Sequence, residues 1–352
     1  MKAPVLHGRR AMAYEDVPDP VAGESEVVVE VGYCGICGSD LHLYDSEMAG
    51  GGIVLGHEFG GTIVEIGKNV SGWEVGDRVV GAPMKPCMNC PFCVRGEYDL
   101  CYQHYRLAVA RAGTPPAGGA SLGAGGYAPF ARIGAARLMR VPDGLDEQQA
   151  ASVEPAAVGV HAVRLSGVRL GDRVAILGAG PIGLFTLQCA MAAGASRVVV
   201  AEPSPGRAAL ATSLGADAVF NPRDVTDLAG AFAERLGGAP DVAFDAAGVP
   251  ATLQQAVDIV KVGGSVMMVG VSFDAAPVRP SAWVTKRVTV RAAFAYSRGD
   301  YETTIAMLER GSLRAGQVIT SIVPGSETPA VFERLLGPNS EVKVLVDPRA
   351  AR

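Results

Sequence analysis

The sequence has no excess of basic residues. Its 352 residues include 31 Lys and Arg against 36 Asp and Glu, a net charge of −5, and no cluster of Lys and Arg stands out. Proteins bind nucleic acids through such clusters, so no nucleic-acid partner is expected. Residues 1–10 contain no apolar core followed by a small-residue cleavage site, which argues against secretion and favours the cytoplasm.

One long stretch lacks charge altogether. Residues 174–196 contain no Asp, Glu, Lys or Arg and are long enough to cross a bilayer. However, this stretch contains four glycines and a proline, and it begins like a strand. A buried strand, turn and helix explain it better, so no membrane span is expected.

The cysteines do not form the pattern of a disulfide framework. Four of the seven lie within fifteen residues, which is too tight and regular for such a framework in a chain of this length: Cys87, Cys90, Cys93 and Cys101. Metal binding is the preferred interpretation. Four thiolates complete a tetrahedral shell and leave no open position, so the pattern predicts a structural zinc site.

Length and composition suit about two domains with sizeable cores, since 49% of the residues are hydrophobic and 19% are charged. Up to about residue 150 the sequence consists of short β-rich runs broken by glycine, at 26–31, 61–66 and 76–80. Residues 112–126 are dense in Gly, Pro, Ala and Ser and predict an irregular loop. No internal repeat is found.

From about residue 170, apolar runs of strand length alternate with helical stretches, which predicts a parallel sheet with helices on both faces. The predicted strands are 174–177, 197–201, 218–220, 241–244 and 265–269, and the predicted helices are 181–193, 205–214, 224–236 and 250–260. After about residue 290 the pattern becomes less regular and ends in a strand-like run at 342–346.

A glycine motif follows the first of these strands. In Gly178-Ala-Gly-Pro-Ile-Gly183, Gly178 permits a tight turn, Gly180 lets the backbone approach a pyrophosphate, and Gly183 allows close packing of helix and strand. Pro181 and Ile182 open the helix, whose free N–H groups would face the phosphates. The motif alone is a weak signal, but the strand before it and the helix after it predict a dinucleotide site.

The residue that follows the second strand points to the cofactor. Glu202 ends this strand, where its carboxylate can accept hydrogen bonds from the ribose hydroxyls and would repel a 2′-phosphate. This favours NAD over NADP. Arg207, five residues later, argues in the opposite direction, because an arginine there can accommodate the 2′-phosphate of NADP.

A second set of candidate metal ligands is dispersed along the chain: Cys37, His57, Glu58 and Glu154. A thiolate, an imidazole and a carboxylate would leave one coordination position open for substrate, as a catalytic zinc requires. Singly these residues are weak signals. A lone histidine is more often a core or surface residue, and Glu154 could simply begin a helix.

These motifs together resemble the zinc-containing medium-chain dehydrogenase/reductases over essentially the whole chain. The matching segments are Gly35-Ile-Cys-Gly-Ser-Asp-Leu-His42, Gly56-His-Glu-Phe-Gly60, Val75-Gly-Asp-Arg-Val79, the four-cysteine segment and the glycine motif. Val153-Glu-Pro-Ala-Ala-Val158 with His161, and Glu202-Pro203, are most similar to the branch of polyol, butanediol and threonine dehydrogenases.

The resemblance implies an α/β fold with two domains. A GroES-like, β-rich catalytic domain would span residues 1–152 and 292–352 and carry both zinc sites, two Zn²⁺ per chain. A Rossmann domain, a doubly wound parallel sheet that binds NAD, would span 153–291. A homodimer or homotetramer is implied by resemblance alone.

The resemblance also implies roles for the dispersed residues. Cys37 and His57 would bind the catalytic zinc, and Glu58 would be a ligand in some states only. Glu154 takes the position where other branches have a cysteine and would act directly or through water. Ser39 and His42 match the family's proton relay.

The function implied is oxidation of a small alcohol, either a secondary alcohol or a vicinal diol, with NAD. Two alternatives stay open: an amino-alcohol oxidoreductase of the threonine dehydrogenase type, and a non-catalytic protein that binds zinc and nucleotide. Two segments depart from the family's pattern and leave the substrate undetermined, namely the short connection from His42 to Gly56 and the stretch at 112–126.

Overall fold

The computed structural model describes residues 1–47, 50–102 and 125–350. The irregular loop predicted at 112–126 therefore lies outside the described residues up to residue 124. In the described part of the chain, no helix is both long and apolar enough to cross a membrane. The uncharged stretch at 174–196 instead forms a strand, a turn and a helix of 12 residues.

The chain divides into two compact units. The first consists of Met1–Glu154, Ser297–Glu309 and Ile319–Arg352, and the second of Pro155–Tyr296 and Arg310–Val318. The second unit thus includes residues 292–296 and 310–318, which the ranges expected from the sequence assigned to the first, and the first unit includes 153–154, which those ranges assigned to the second. Each unit has its own buried apolar cluster.

The first unit is rich in strands. Its strands are β1 (Lys2–Gly8), β2 (Ala11–Asp16), β3 (Glu26–Gly35), β4 (Gly50–Val54), β5 (Glu58–Ile66), β6 (Arg78–Gly81), β7 (Phe130–Gly134), β8 (Leu138–Arg140), β15 (Ile319–Pro324) and β16 (Lys343–Asp347). Its helices are α1 (Gly38–Tyr44), α2 (Pro91–Val94), α3 (Glu147–Ala151), α10 (Arg298–Glu309) and α12 (Thr328–Leu336).

Two sheets form this unit. A three-stranded antiparallel sheet has the order β2-β1-β4, and a seven-stranded sheet has the order β15-β16-β3-β5-β6-β8, with β7 also paired to β3. The ten residues of β3 supply the centre of the larger sheet, because this strand pairs with β5, β7 and β16. Its alternating valines Val27, Val29 and Val31 lie in the core.

The second unit alternates strands and helices as predicted. Its strands are β9 (Arg173–Leu177), β10 (Arg197–Ala201), β11 (Ala218–Phe220), β12 (Val242–Asp245), β13 (Ser265–Met268) and β14 (Thr289–Ala292). Its helices are α4 (Val153–Ser166, which begins in the first unit), α5 (Pro181–Ala192), α6 (Pro205–Ser213), α7 (Leu228–Leu236), α8 (Pro250–Ile259), α9 (Pro280–Lys286) and α11 (Ala315–Val318).

All six strands of the second unit are parallel, in the order β11-β10-β9-β12-β13-β14. The order reverses between β9 and β12, so this sheet is of the doubly wound Rossmann type. Ligands of such sheets bind at the carboxyl ends of the strands beside this reversal. The expected α/β fold class is therefore confirmed.

One predicted helix starts later than expected. The helix predicted at 224–236 begins only at Leu228, because Asp227 caps its first turn by accepting a hydrogen bond from the backbone N–H of Gly230 at 2.9 Å. Pro222–Asp224 before it forms a separate 3₁₀ turn. The alanine-rich sequence does not reveal this boundary, whereas the capping contact does.

Candidate active site

Three neighbouring strands of the first unit bring the dispersed candidate ligands together. At its last residue, Gly35, β3 pairs with Glu58 at the start of β5 and with Leu345 of β16. Cys37 lies just beyond the end of β3, and His57 just before the start of β5. These residues, distant in sequence, therefore meet at one end of the sheet.

The ligand atoms of Cys37, His57 and Glu58 all lie within 4.8 Å of one another. Both His57 and Glu58 are buried, whereas Cys37 is partly exposed. A thiolate, an imidazole nitrogen and a carboxylate oxygen at such separations are a donor set that suits zinc. The residues present therefore fit a zinc ion held by three protein ligands.

A carboxylate behind His57 orients its ring. The Nδ1 atom of His57 lies 3.4 Å from Oδ1 of the fully buried Asp40, which leaves Nε2 as the nitrogen available to a metal. The other oxygen of Asp40 accepts hydrogen bonds from the Tyr127 hydroxyl at 2.6 Å and from the Cys37 backbone N–H at 3.2 Å. Carboxylates in this position fix the tautomer of a zinc-bound histidine.

The same surroundings affect the protonation of His57. Burial lowers the pKa of the imidazole, but the nearby Asp40 carboxylate and the Cys37 side chain raise it, and the net result is a pKa well above the usual value. The ring therefore lies in a strongly negative environment, which also attracts a metal cation.

Glu58 has a partner that the sequence analysis missed. Lys343, the first residue of β16, donates hydrogen bonds from Nζ to the two carboxylate oxygens of Glu58 at 2.8 and 2.5 Å and to the Ile36 carbonyl at 2.9 Å. Side-chain exposure is 2% for Lys343 and 1% for Glu58. The available signal was a single charged residue inside the apolar run at 342–346.

Three negative groups surround the Lys343 ammonium. Burial lowers its pKa, but the charges of Glu58, Cys37 and Glu154, together with the hydrogen bond to Glu58, raise it above the usual value. Glu154 lies in the first turn of α4 and is buried. It is close enough to act on Lys343 electrostatically but lies outside the three-residue ligand group.

The two predicted relay residues lie on α1, directly after Cys37. Ser39 is exposed, and its hydroxyl donates a hydrogen bond to the Cys37 sulfur at 3.1 Å. His42 lies in the last turn of this helix and is also exposed. Residues three apart share one face of a helix, so Ser39 and His42 lie on the same face of α1.

Gly56 is required by the backbone that carries His57. Its φ of 96° is in the left-handed region, and a Cβ atom there would meet the Cys34 sulfur and the Tyr127 backbone nitrogen at 2.8 Å. Cys34 itself is fully buried, and burial raises the pKa of its thiol well above the usual value. Cys34 therefore belongs to the packed core of the first unit.

The four-cysteine segment forms a separate metal site. The sulfur atoms of Cys87, Cys90, Cys93 and Cys101 all lie within 4.8 Å of one another, and those of Cys87 and Cys93 are 3.9 Å apart. Tetrahedral zinc with Zn–S bonds of about 2.3 Å would separate its sulfurs by about 3.8 Å. The segment therefore fits a closed, structural zinc site.

Backbone N–H groups donate hydrogen bonds to two of these sulfurs. The Cys90 sulfur accepts a hydrogen bond from the Cys93 N–H, and the Cys101 sulfur accepts one from the Cys87 N–H, both at 3.4 Å. The first of these contacts lowers the pKa of Cys90 to about 6, whereas burial raises that of Cys93 to about 12. A cation is needed to hold all four as thiolates.

The predicted dinucleotide site lies in the second unit, at the carboxyl end of β9. Gly178 has a φ of 97°, and a Cβ atom on Gly183 would overlap the Gly178 carbonyl oxygen. Both glycines are thus required by the turn itself. A Cβ atom on Gly180, by contrast, would meet no atom of the described residues within 4 Å apart from its chain neighbours, so the turn itself does not require a glycine there.

Pro181 and Ile182 form the first turn of α5, with Gly180 as its N-cap. Glu202 follows β10, the strand next to β9, and is buried. Arg207 lies in α6 and is partly exposed. The turn, the start of α5 and the acidic residue therefore lie together at the carboxyl ends of β9 and β10, while their role in binding a dinucleotide stays a prediction.

Comparison with known proteins identifies relatives over the whole chain. The family "Alcohol dehydrogenase GroES-like domain" matches residues 23–143, and the family "Zinc-binding dehydrogenase" matches residues 181–310. The (R,R)-butanediol dehydrogenase of Bacillus subtilis is 33% identical, covering 99% of this chain and all of the relative. The sorbitol dehydrogenase of Bombyx mori is 32% identical, covering 98% and 97% of the two chains.

Solved structures agree with these relatives. A putative zinc-binding dehydrogenase from Sinorhizobium meliloti, bound to NADP, is 30% identical with a TM-score of 0.86, and 99% of each chain is covered. A short chain alcohol dehydrogenase from E. coli CFT073, complexed with NADH, is 25% identical with the same TM-score and coverage. The relatives thus include structures with either nicotinamide cofactor.

Proposed function

The chain belongs to the zinc-binding medium-chain dehydrogenases that act on CH–OH groups, and on this premise we propose that it oxidises a secondary alcohol or vicinal diol with NAD. The observation that carries the proposal is the group of Cys37, His57 and Glu58, three donors of the kind that leave one position on zinc for a substrate. Relatives named for butanediol and sorbitol, alcohols with neighbouring hydroxyls, support the diol.

The zinc ion and the cofactor would each supply one part of the chemistry. Zinc supplies a Lewis acid that favours loss of the hydroxyl proton of the alcohol, and NAD supplies the acceptor for the hydride that leaves the same carbon. Cys37 and His57 would hold the ion, and Asp40 would keep the His57 ring oriented through its contact with Nδ1.

Glu58 has a different role in this proposal. Its carboxylate is neutralised by Lys343 at 2.5 Å, which reduces its negative charge toward the metal. Cys37 would then be the main anionic ligand, and the ion would keep a net positive charge. Such a charge strengthens the Lewis acid. Glu154, which acts on Lys343 from α4, would be a further ligand or would bind through water.

Ser39 and His42 would move the proton. The Ser39 hydroxyl lies next to the Cys37 sulfur, at the edge of the ligand group, and would accept the proton that the substrate loses while it releases its own hydroxyl proton toward His42. The exposed His42 ring, on the same helix, can pass a proton to solvent.

The preference for NAD is argued from Glu202. Its buried carboxylate, at the end of β10, would repel the 2′-phosphate of NADP. Arg207 lies five residues further on and would favour NADP, the cofactor in the structure from Sinorhizobium meliloti. The assay must therefore include both cofactors.

The test is a zinc determination followed by a substrate panel on the same protein. We expect about two zinc ions per chain, and reduction of NAD at 340 nm with a stereoisomer of 2,3-butanediol or with sorbitol. Threonine and primary alcohols complete the panel. Turnover of threonine alone would replace this proposal by the amino-alcohol oxidoreductase, and two zinc ions without turnover on any alcohol would contradict it.

A further inference from the structure

Glu202 makes contacts that its expected role does not require. Its Oε2 atom accepts a hydrogen bond from the backbone N–H of Ala179 at 2.7 Å, and its Oε1 atom accepts one from the N–H of Ser204 at 2.8 Å. Only 5% of the residue is exposed. Recognition of a ribose needs a carboxylate at the end of β10, but it does not need this carboxylate to be bound to the protein's own backbone.

The contact with Ala179 is the informative one. Ala179 lies in the glycine turn, between Gly178 and Gly180, and is completely buried, so its N–H could not be satisfied by solvent. Glu202 comes from the neighbouring strand, 23 residues later in the chain. The carboxylate therefore ties the end of β10 to the turn after β9 and fixes the peptide between Gly178 and Ala179.

Packing alone does not supply this restraint. A Cβ atom built on Gly178 would lie 3.0 Å from the backbone of Ala247, so Ala247 packs closely against the turn. That contact limits the position of the turn but forms no hydrogen bond with Ala179. Each carboxylate oxygen has a second lone pair, so Glu202 can hold the turn and still accept ribose hydroxyls.

We propose that Glu202 is a positioning residue for the pyrophosphate-binding turn as well as the acceptor for the ribose. The proposal rests on the proposed function in so far as a dinucleotide binds here. It has a consequence for cofactor specificity. Removing the carboxylate to admit NADP also releases the turn that both cofactors use, so a substitution at Glu202 weakens NAD binding without creating NADP binding.

The first test uses the cofactor-free protein and measures hydrogen–deuterium exchange at single amides. In Glu202→Ala, exchange of the Ala179 amide should accelerate about tenfold or more, since a hydrogen bond to a charged group is lost. Glu202→Gln retains one acceptor oxygen and the side-chain volume. Exchange should therefore accelerate at the amide of Ala179 or at that of Ser204, but not at both. Amides of β9 should stay protected in both variants.

Asp217→Asn is the matched control. Asp217 also accepts a backbone N–H with a carboxylate oxygen, from Val198 at 2.7 Å, but at the opposite end of β10. The Asp217→Asn variant should leave the exchange rate of the Ala179 amide unchanged. Unchanged Ala179 exchange in Glu202→Ala would overturn the positioning role.

The second test measures NAD and NADP binding by calorimetry in the wild type and in Glu202→Ala. We expect NAD affinity to fall about tenfold or more and NADP affinity not to rise. A rise in NADP affinity as NAD affinity falls would mean that Glu202 acts on the ribose alone, which overturns the proposal. A wild type that binds neither cofactor contradicts the proposed function, whereas the exchange measurement still decides the role of Glu202 in the turn.

Discussion

Glu58 and Lys343 form a buried ion pair in which Nζ lies 2.8 and 2.5 Å from the two carboxylate oxygens, although the residues are 285 positions apart. The pair links the first residue of β5 to the first residue of β16. Buried charges are tolerated only when they are paired, so this contact contributes both to the fold and to the charge at the metal.

Removing the cation of this pair should destabilise the protein strongly. Lys343→Met leaves Glu58 buried without a counterion, and we expect a loss of about 3–5 kcal/mol in the free energy of unfolding. Urea denaturation measures it. Lys68→Met is the control, because the Lys68–Glu24 pair is exposed and should contribute at most about 1 kcal/mol. Equal effects of the two substitutions would contradict the argument, and adding Glu58→Gln to Lys343→Met should restore part of the loss.

Loss of one cysteine from the four-cysteine segment should remove one metal ion. Cys101→Ser is expected to lower the zinc content from about two to about one per chain and to leave the segment poorly folded, because this site is closed by four sulfurs. Elemental analysis of the purified protein measures the zinc. Cys189→Ala should retain both ions, since Cys189 lies buried in α5, outside both ligand groups. A full zinc content in Cys101→Ser would rule out this site.

Asp40 should control the affinity of the catalytic site for zinc. In Asp40→Asn the His57 ring loses its carboxylate partner, and we expect metal affinity to fall about 10–100-fold. Competition with a zinc chelator measures the change. Asp45→Asn, at the C-terminal end of α1 where the carboxylate pairs with Arg9, is the control and should leave the affinity unaltered. If the two variants release zinc equally, the contact with Asp40 has no influence on the metal.

Ser39 should be needed for proton transfer. Ser39→Ala is expected to lower kcat about 10²-fold under conditions where hydride transfer limits the rate. A deuterated alcohol shows by its isotope effect whether that condition holds. Ser46→Ala removes a hydroxyl that bonds the Leu43 carbonyl and should leave kcat unchanged. An unaltered kcat in Ser39→Ala would exclude the relay through this residue.

The second unit was the more predictable half of the molecule. The strands at 197–201 and 218–220 match β10 and β11 to the residue, because each apolar run is bounded by turn residues and pairs with its neighbours in a regular parallel order. The glycine motif could be located for the same reason, since its strand and helix adjoin it in the sequence. The resemblance to the zinc-containing dehydrogenases is confirmed over the full length of the chain.

The first unit was predictable only in part. Its three-stranded sheet joins β1 and β2 to the distant β4, and a sequence pattern contains no information on such partners. Asp40 stood within a recognised motif, but its role depends on the direction in which the His57 ring points. Lys343 was visible as a charge in an apolar strand, but its partner depends on the register of β16 against β3. The roles of the other site residues stay predictions.

The position of β16 has a consequence for synthesis of the chain. Cys37, His57 and Glu58 are synthesised close together, but the ammonium that neutralises Glu58 is made 285 residues after Glu58 itself. Until then the nascent chain contains all three residues of the ligand group, but the carboxylate of Glu58 has no Lys343 to neutralise it. A chain without β16 would therefore retain Cys37, His57 and Glu58 but lack the Lys343 ammonium that neutralises Glu58.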